Sequence, residues 1–517
     1  MNRKGIAGVM VSLMISLLLA ALDSTIVGTA MPKIIGELHG MERYSWPFTA
    51  YMLFSTIAIV MFGRLSDLYG RKPVFLFGIL FFLVSSALCG LSRSMLQLII
   101  FRGLQGIGGG VLVSSVFIIV GELFSPRERG KYMGLLVSMF GLASVLGPAA
   151  GGVITDHLSW RWVFYVNLPL GAIACILVVL LLPRFPPVPG RKQVDYLGAL
   201  FLLFALFPLF LALTWADTEY PWVSAQIIGL LLLSAVMFIL LFNAERTAAQ
   251  PVLPLGLFRN SIFTVSVITM FLSSAVMFCG VIYIPLFVQG VLGGSATSSG
   301  MVTTPMMLGL TVSAIITGRL ISKTGRYKAL ALMSFCIAGA SLVLLARMSV
   351  TTDMSSVLLY SALFGIGSGV VMPSFNIAAQ NAFPRRDLAL VSSSMQFFRN
   401  MGATIGTSAF GYVMSAAMKK GMTSIDLNAV SPQIARVITN PRILSSRAGV
   451  GEVRAHVPEA LLLQFDRLLE QVKVVMAGCI QEIFFIGLIV TIISLIVTLK
   501  LKELPLRRDE VLFTEEK

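Results

Sequence analysis

The sequence predicts an all-α integral membrane protein of about fourteen spanning helices in two related halves. Three observations lead there. The 517 residues are 56% hydrophobic and only 12% charged, with a mean hydropathy of +0.88, whereas soluble domains are about 25% charged. Apolar runs of roughly twenty residues recur along the chain, each long enough to cross a bilayer. A short charged loop occurs twice, about half a chain apart.

The first copy is Gly63-Arg64-Leu65-Ser66-Asp67-Leu68-Tyr69-Gly70-Arg71-Lys72 and the second is Gly318-Arg319-Leu320-Ile321-Ser322-Lys323-Thr324-Gly325-Arg326. Gly63 aligns with Gly318, Gly70 with Gly325, and Arg71 with Arg326; Asp67 aligns with Ser322. Glycines at both ends permit a tight reversal where a Cβ would clash. Matched glycines and matched basic residues at one spacing argue against two unrelated turns. Duplicated halves in one chain are what membrane transporters show.

Spans are expected at 6–30, 46–66, 74–93, 96–121, 131–155 and 162–183, then at 195–214 and 223–243. Six more are expected at 262–289, 300–321, 329–347, 355–381, 392–416 and 478–500. The first is read as a span and not as a removed signal peptide, because no cleavage signal follows it. An even number puts both termini on one side. The termini and alternate loops carry most of the basic residues, including Arg64, Arg71, Lys72, Arg127, Arg129, Lys131, Arg319 and Arg326. The short loops opposite carry only Lys33, Arg43, Arg93, Arg161 and Arg347. The positive-inside rule therefore predicts cytoplasmic termini. The expected location is the plasma membrane of a bacterium.

The expected units are 1–183, a linker with two extra spans over 184–261, and 262–517. Pro183, Pro186, Pro187 and Pro189 before the extra spans, and Pro251 and Pro254 after them, suit connections that do not continue a helix. An extracellular insertion is expected at 417–477. Within it Leu461, Leu462, Phe465, Leu468, Leu469 and Val472 recur at helical spacing between charged residues. An amphipathic helix leading into the last span is predicted there.

The net charge of +15 does not indicate nucleic-acid binding, since the basic residues sit in short loops where topology accounts for them. The five cysteines, Cys89, Cys175, Cys279, Cys336 and Cys479, lie in or at the ends of apolar runs without a CxxC pair. Neither a disulfide framework nor a zinc site is expected.

Two spans carry polar residues that need a purpose. Asp23 is the only charge in the first span, on a stripe with Ser16, Ala20, Val27 and Ala30. The fourth span contains Arg102-Gly103-Leu104-Gln105-Gly106-Ile107-Gly108-Gly109-Gly110. An arginine in a membrane helix costs a few kcal/mol or more, so it is expected to face a cavity or a partner. Arg102, Gln105, Gly106 and Gly109 share one face, and its glycines admit a close neighbour. Asp23 and Arg102 lie at equal depth, on the order of 10 Å below the outer surface, so an ion pair is possible. In the fifth span, Gly147-Pro148-Ala149-Ala150-Gly151-Gly152 combines a bend with close packing.

With these segments in view, the chain resembles the fourteen-span drug:proton antiporters of the major facilitator superfamily, the EmrB/QacA subfamily. The resemblance rests on the Leu22-Asp23-Ser24-Thr25 segment, the Gly63–Lys72 loop, the Arg102–Gly110 segment and Gly147–Gly152, which is that family's antiporter motif. Trp160–Pro169, Asp195–Gly198 and Pro251–Leu255 are similar too. Met139 and Ala143 stand where that motif often has glycines. The resemblance implies the major facilitator fold, two six-helix bundles plus two linker helices, with alternating access around a central cavity. It also implies a cytoplasmic latch of Gly63, Asp67, Gly70, Arg71 and Glu122, with Asp67 near a helix N-terminus of the second half.

Proton coupling is expected at Asp23 and Arg102. The substrate cavity is expected to use Gln105, Met277, Tyr283, Phe375, Asn376, Gln380 and Arg399. The expected function is proton-coupled efflux of amphiphilic cationic or neutral drug-like molecules, by a monomer that needs no metal and no cofactor beyond the proton gradient. The narrower alternative is export of one metabolite, antibiotic or lipid. No GxxxxGK[ST] loop offers ATP drive. An enzyme is disfavoured because His39, His157 and His456 all lie in loops and no carboxylate pair occupies a span. A non-transporting sensor would need neither a titratable Asp23 nor a cavity.

Overall fold

A computed structural model describes residues 3–38, 46–183, 185, 195–216, 219–247, 251, 255–294, 296–423 and 462–506. The first half comprises α1 (Arg3–Leu38), α2 (Trp46–Tyr69), α3 (Arg71–Leu91), α4 (Met95–Leu123) and α5 (Pro126–His157), then α6 (Trp162–Tyr165) and α7 (Asn167–Leu181), which together make one span. Two further helices follow, α8 (Tyr196–Trp215) and α9 (Ala225–Thr247). The second half comprises α10 (Ser261–Leu286), α11 (Ala296–Thr324), α12 (Lys328–Leu345), α13 (Met354–Asn381), α14 (Leu388–Met422) and α15 (Leu462–Leu499). The architecture is two six-helix bundles with two additional helices.

Local chemistry starts several of these helices. Ser94, Asp195, Asn260 and Asp353 each accept a hydrogen bond from a backbone N–H of the following first turn, which satisfies a donor the helix itself leaves free. Gly70 and Gly325 separate α2 from α3 and α11 from α12, with φ of +88° and +73°. Both copies of the repeated loop thus place a glycine in a backbone region that L side chains resist.

Among the described residues, thirteen helical spans are long and apolar enough to cross a membrane. The exception is α14, which is 35 residues long but carries Ser392, Ser393, Ser394, Gln396, Arg399 and Asn400. Its residues Leu388–Phe397 are all buried, so protein rather than lipid surrounds that stretch and apolar side chains are not required of it. By contrast α9 exposes Leu232, Leu233, Val236 and Ile239, as a lipid-facing helix does.

The last helix bears on the expected insertion at 417–477. The amphipathic segment and the final span are one continuous helix of 38 residues. Its stripe, Phe465, Leu468 and Val472, is buried in the second half's core beside Phe287 and Met418. At the other end of the expected insertion, α14 runs on to Met422. Residues 424–461 lie outside the described residues, as do Arg43, Pro186, Pro187, Pro189, Pro254, His39 and His456.

The cores show how the halves meet. At the end carrying the repeated loops, one hydrophobic cluster joins Phe117, Phe124 and Met133 of the first half to Phe263, Phe375 and Val391 of the second. At the opposite end each half has its own cluster, around Ile34, Trp160 and Phe164 in the first and around Phe287, Phe364 and Phe484 in the second.

Candidate functional site

A polar network lies inside the first half. Asp23 Oδ2 is 2.6 Å from Arg102 Nη1, and both side chains are buried. Asp23 Oδ1 accepts hydrogen bonds from Gln105 Nε2 at 2.9 Å and Asn167 Nδ2 at 2.8 Å. Arg102 Nη1 also donates to Gln105 Oε1, and Asn167 Nδ2 to Ser86 Oγ. The arginine therefore has a partner rather than a cavity. Its guanidinium carbon lies 4.3 Å from the centroid of the Tyr51 ring, a cation–π distance. Close packing makes this possible: a Cβ on Gly106 or Gly109 would overlap Tyr51. Of this network the sequence points to Asp23, Arg102 and Gln105. Asn167 lies in the Trp160–Pro169 segment but is assigned no role by the sequence, and Ser86 carries no signal beyond being a polar residue within an apolar span.

The repeated loop forms a second cluster. Arg71 is 2.5 Å from both Asp67 and Glu122, and Arg71 Nη1 donates to Ser66 Oγ at 2.6 Å. The two aligned glycines, Gly63 and Gly318, both lie where one half meets the other. A Cβ on Gly63 would stand 2.7 Å from Ser393 of α14. A Cβ on Gly318 would overlap the Gly130 carbonyl of α5. One turn beyond Gly318, Ser322 Oγ accepts from the Lys131 N–H, and its carbonyl accepts from Arg127 Nε. One turn beyond Gly63, the buried Asp67 pairs with Arg71 inside its own half.

The Gly147–Gly152 segment packs on α1 just beyond Asp23. Thr25 Oγ1 donates to the Ala143 carbonyl at 3.0 Å. A Cβ on Gly147 would overlap Thr25, and one on Gly151 would overlap Thr29. Pro148 lies inside the helix. Gly152 departs from the expected packing, since nothing lies within 4 Å of its Cβ position. Farther along, Trp160 Nε1 and Arg161 both donate to Glu37. These hydrogen bonds, Arg161's first, hold the Glu37 carboxyl below the ordinary glutamate range.

Between the halves lies a cavity of about 380 Å³. Its wall includes Tyr51, Phe140, Met277, Phe278, Phe335 and Arg399. Met277 and Arg399 are where the sequence places them. The other five expected cavity residues are elsewhere. Gln105 is bound to Asp23 and Arg102. Tyr283 is buried in the second half's core. Phe375 stands behind Phe335, at 6.3 Å between ring centroids. Asn376 bonds back to the Met372 carbonyl, and Gln380 bonds to Ser392. Each has an apolar or polar partner inside the bundle, and on α13 the lining stretch ends at Met372, short of Phe375, Asn376 and Gln380. Asp23 and Arg102 do not line the cavity either; Tyr51, which touches Arg102, does.

A family model described as Major Facilitator Superfamily matches residues 13–407. The chain is 36% identical to Multidrug transporter protein MdtP of Bacillus subtilis, over 98% of this chain and 94% of that protein. It is 35% identical to Multidrug resistance protein 3 of the same organism, over 95% and 94% respectively. Among solved structures, the human organic anion transporter MFSD10 is similar with a TM-score of 0.59 at 16% sequence identity, covering 95% of this chain and all of that one. That last likeness concerns the fold alone. The long match to the family model and the two full-length relatives agree with the paired bundles and the cavity between them: this chain belongs to the major facilitator superfamily.

Proposed function

We propose that this chain exports amphiphilic small molecules by alternating access, driven by protons moving inward. The observation that carries the reading is the mostly apolar cavity between the two halves, with a buried carboxylate network one aromatic ring behind its wall. An apolar pocket of this size with few polar groups suits amphiphilic ligands. The relatives named as multidrug transporters support the efflux direction and a broad substrate range.

In this reading the repeated loops face the cytoplasm, as their basic residues favour. The joined core at that end then belongs to a state closed to the cytoplasm. Asp67, Arg71 and Glu122 act as the latch. Asp23, a buried carboxylate paired with Arg102, is the proton site in this reading. Tyr51 carries the change outward, because a shift of Arg102 moves the ring that lines the cavity. The test is uphill efflux of a toxic dye from proteoliposomes of the purified protein. Accumulation that follows the imposed pH gradient and collapses with a protonophore is expected. Efflux unaffected by the gradient overturns the proton coupling, and no movement of any compound in a broad panel overturns the export reading.

A further inference from the structure

Among the described residues lining the cavity, Arg399 is the one charged side chain. It differs from the other intramembrane arginine in what holds it. Arg102 has a carboxylate at 2.6 Å. Arg399 has Gln396 Oε1, which accepts from its Nε at 2.9 Å, and the Phe140 ring of the opposite half, 5.2 Å from its guanidinium carbon. No carboxylate among the described residues lies within ion-pair distance of it, and its two terminal nitrogens make no hydrogen bond there.

Both arrangements leave Arg399 short of what its chemistry demands. A guanidinium keeps its charge in proteins, so it cannot escape burial by losing a proton. An unpaired charge at membrane depth is expensive, and such residues face a functional cavity or find a partner. An amide oxygen and a ring face offset only part of the cost. Asp23, the buried acid of the first half's polar network, is already enclosed by Arg102, Gln105 and Asn167. The anchored Nε fixes the plane of the guanidinium, and the free terminal nitrogens are the donors that grip a carboxylate or another oxyanion in pairs.

We propose that Arg399 is a specificity-determining residue that receives the anionic head group of amphiphilic substrates in the cavity, while the apolar wall takes their tails. Met277, Phe278 and Phe335 supply that wall, and methionine and aromatic side chains accommodate tails of varied shape. The proposal names the substrate class of the site read above as an exporter and rests on that reading. It departs from the cationic or neutral class expected from sequence, because no acid among the described residues faces the cavity while Arg399 does.

The test uses purified protein in phosphatidylcholine proteoliposomes, with a dansyl-labelled undecanoic acid and its methyl ester as probes. The two differ by one charge. Wild type is expected to bind the acid more tightly than the ester. Arg399→Met is expected to lower acid affinity roughly tenfold or more, as loss of a charged hydrogen-bond pair does, and to leave the ester within about twofold. Arg399→Lys is expected to keep most of the preference. An acid-to-ester affinity ratio of one or less in wild type overturns the proposal, as does an Arg399→Met variant that loses both probes equally. The wild-type ratio and Arg399→Lys decide the matter if Arg399→Met does not fold. Transport separates the two readings: charge-dependent binding without movement sinks the export reading alone, and export of both probes without discrimination sinks the role of Arg399 alone.

Discussion

Asp23 and Arg102 form an ion pair of 2.6 Å sealed within the first bundle, and neither reaches the cavity wall. A buried pair is costly to break from one side, about 3–5 kcal/mol when the remaining charge is left uncompensated. Asp23→Asn therefore tests two things at once. It is expected to lower thermal stability, because Arg102 loses its counter-charge. It is also expected to abolish uphill efflux under a pH gradient while substrate binding persists. If the pair is only structural, binding and transport fall together with the folded fraction. Uphill efflux per folded molecule equal to wild type, with the same gradient dependence, removes Asp23 from the mechanism.

The two loop glycines are expected to differ in sensitivity. Both have positive φ, where a Cβ costs about 1–2 kcal/mol. Gly325 has open space around its Cβ position, so Gly325→Ala carries that cost alone. A Cβ on Gly70 would also stand 2.9 Å from the Phe185 carbonyl oxygen. Gly70→Ala should lower the melting temperature more than Gly325→Ala. Equal shifts in detergent would show that the Phe185 contact yields freely.

What can be read in the sequence depends on whether one residue or one face decides the outcome. Long apolar runs mark helices that meet lipid, so α3 and α9 are legible directly. The helix α14 is harder, because protein shields its serines and Gln396 and no apolar run is needed there. The repeated glycines are legible through their matched spacing, but only Gly70 and Gly325 sit in a reversal. Gly63 and Gly318, expected at the other end of each turn, lie inside α2 and α11, where they serve close helix packing. The cavity wall is not legible to the same degree. Gln105, Asn376 and Gln380 are polar residues in spans, as Arg399 is, yet each is engaged by an internal partner. Which partners meet is set by packing between helices, such as Gly106 on Tyr51 and Gly121 beside Gln380, which a single sequence does not display.

The α1–α5 seam offers a contrast within one motif. A Cβ on Gly151 would overlap Thr29 and come 2.9 Å from the Ile26 carbonyl oxygen. A Cβ on Gly152 meets nothing within 4 Å. Gly151→Ala is therefore expected to force α5 from α1 and to slow transport strongly. Gly152→Ala should be neutral or slightly stabilising, since alanine favours the helix by roughly 1 kcal/mol over glycine. Equal loss of transport rate in both variants would mean that the motif acts through something other than this seam.

Glu37 gives a pH dependence whose sign follows from its partners. Its carboxyl is held low by Arg161 and Trp160, so the folded state favours the charged form. The associated stability is present above the unfolded-state value and is lost as pH falls through the folded-state value. The side chain is half exposed, so the effect is small. Glu37→Gln should lower the melting temperature slightly at neutral pH and leave it unchanged near pH 3. A larger difference at the acidic end contradicts the assignment.

The latch is tested best through its duplication. Gly63 and Gly318 both abut the other half, and the residue one turn on is Asp67 in one copy and Ser322 in the other. Ser322 reaches the first turns of α5 by two hydrogen bonds, one from the Lys131 N–H at 3.1 Å and one from Arg127 at 3.0 Å. Asp67 is paired with Arg71, which ties it to Glu122. Asp67 thus has a charged attachment within its own half, whereas the Ser322 hydroxyl accepts across the halves from the Lys131 N–H and donates within its helix to the Gly318 carbonyl. Asp67→Asn weakens the pairing with Arg71 without changing shape, and it should reach the membrane but turn over several-fold more slowly. Ser322→Ala loses a single neutral hydrogen bond between the halves, worth about 1 kcal/mol, and should slow transport less. Rates are compared in proteoliposomes at equal protein. A Ser322→Ala defect as large as that of Asp67→Asn would place the closing energy in the symmetric backbone contacts rather than in the acidic residue.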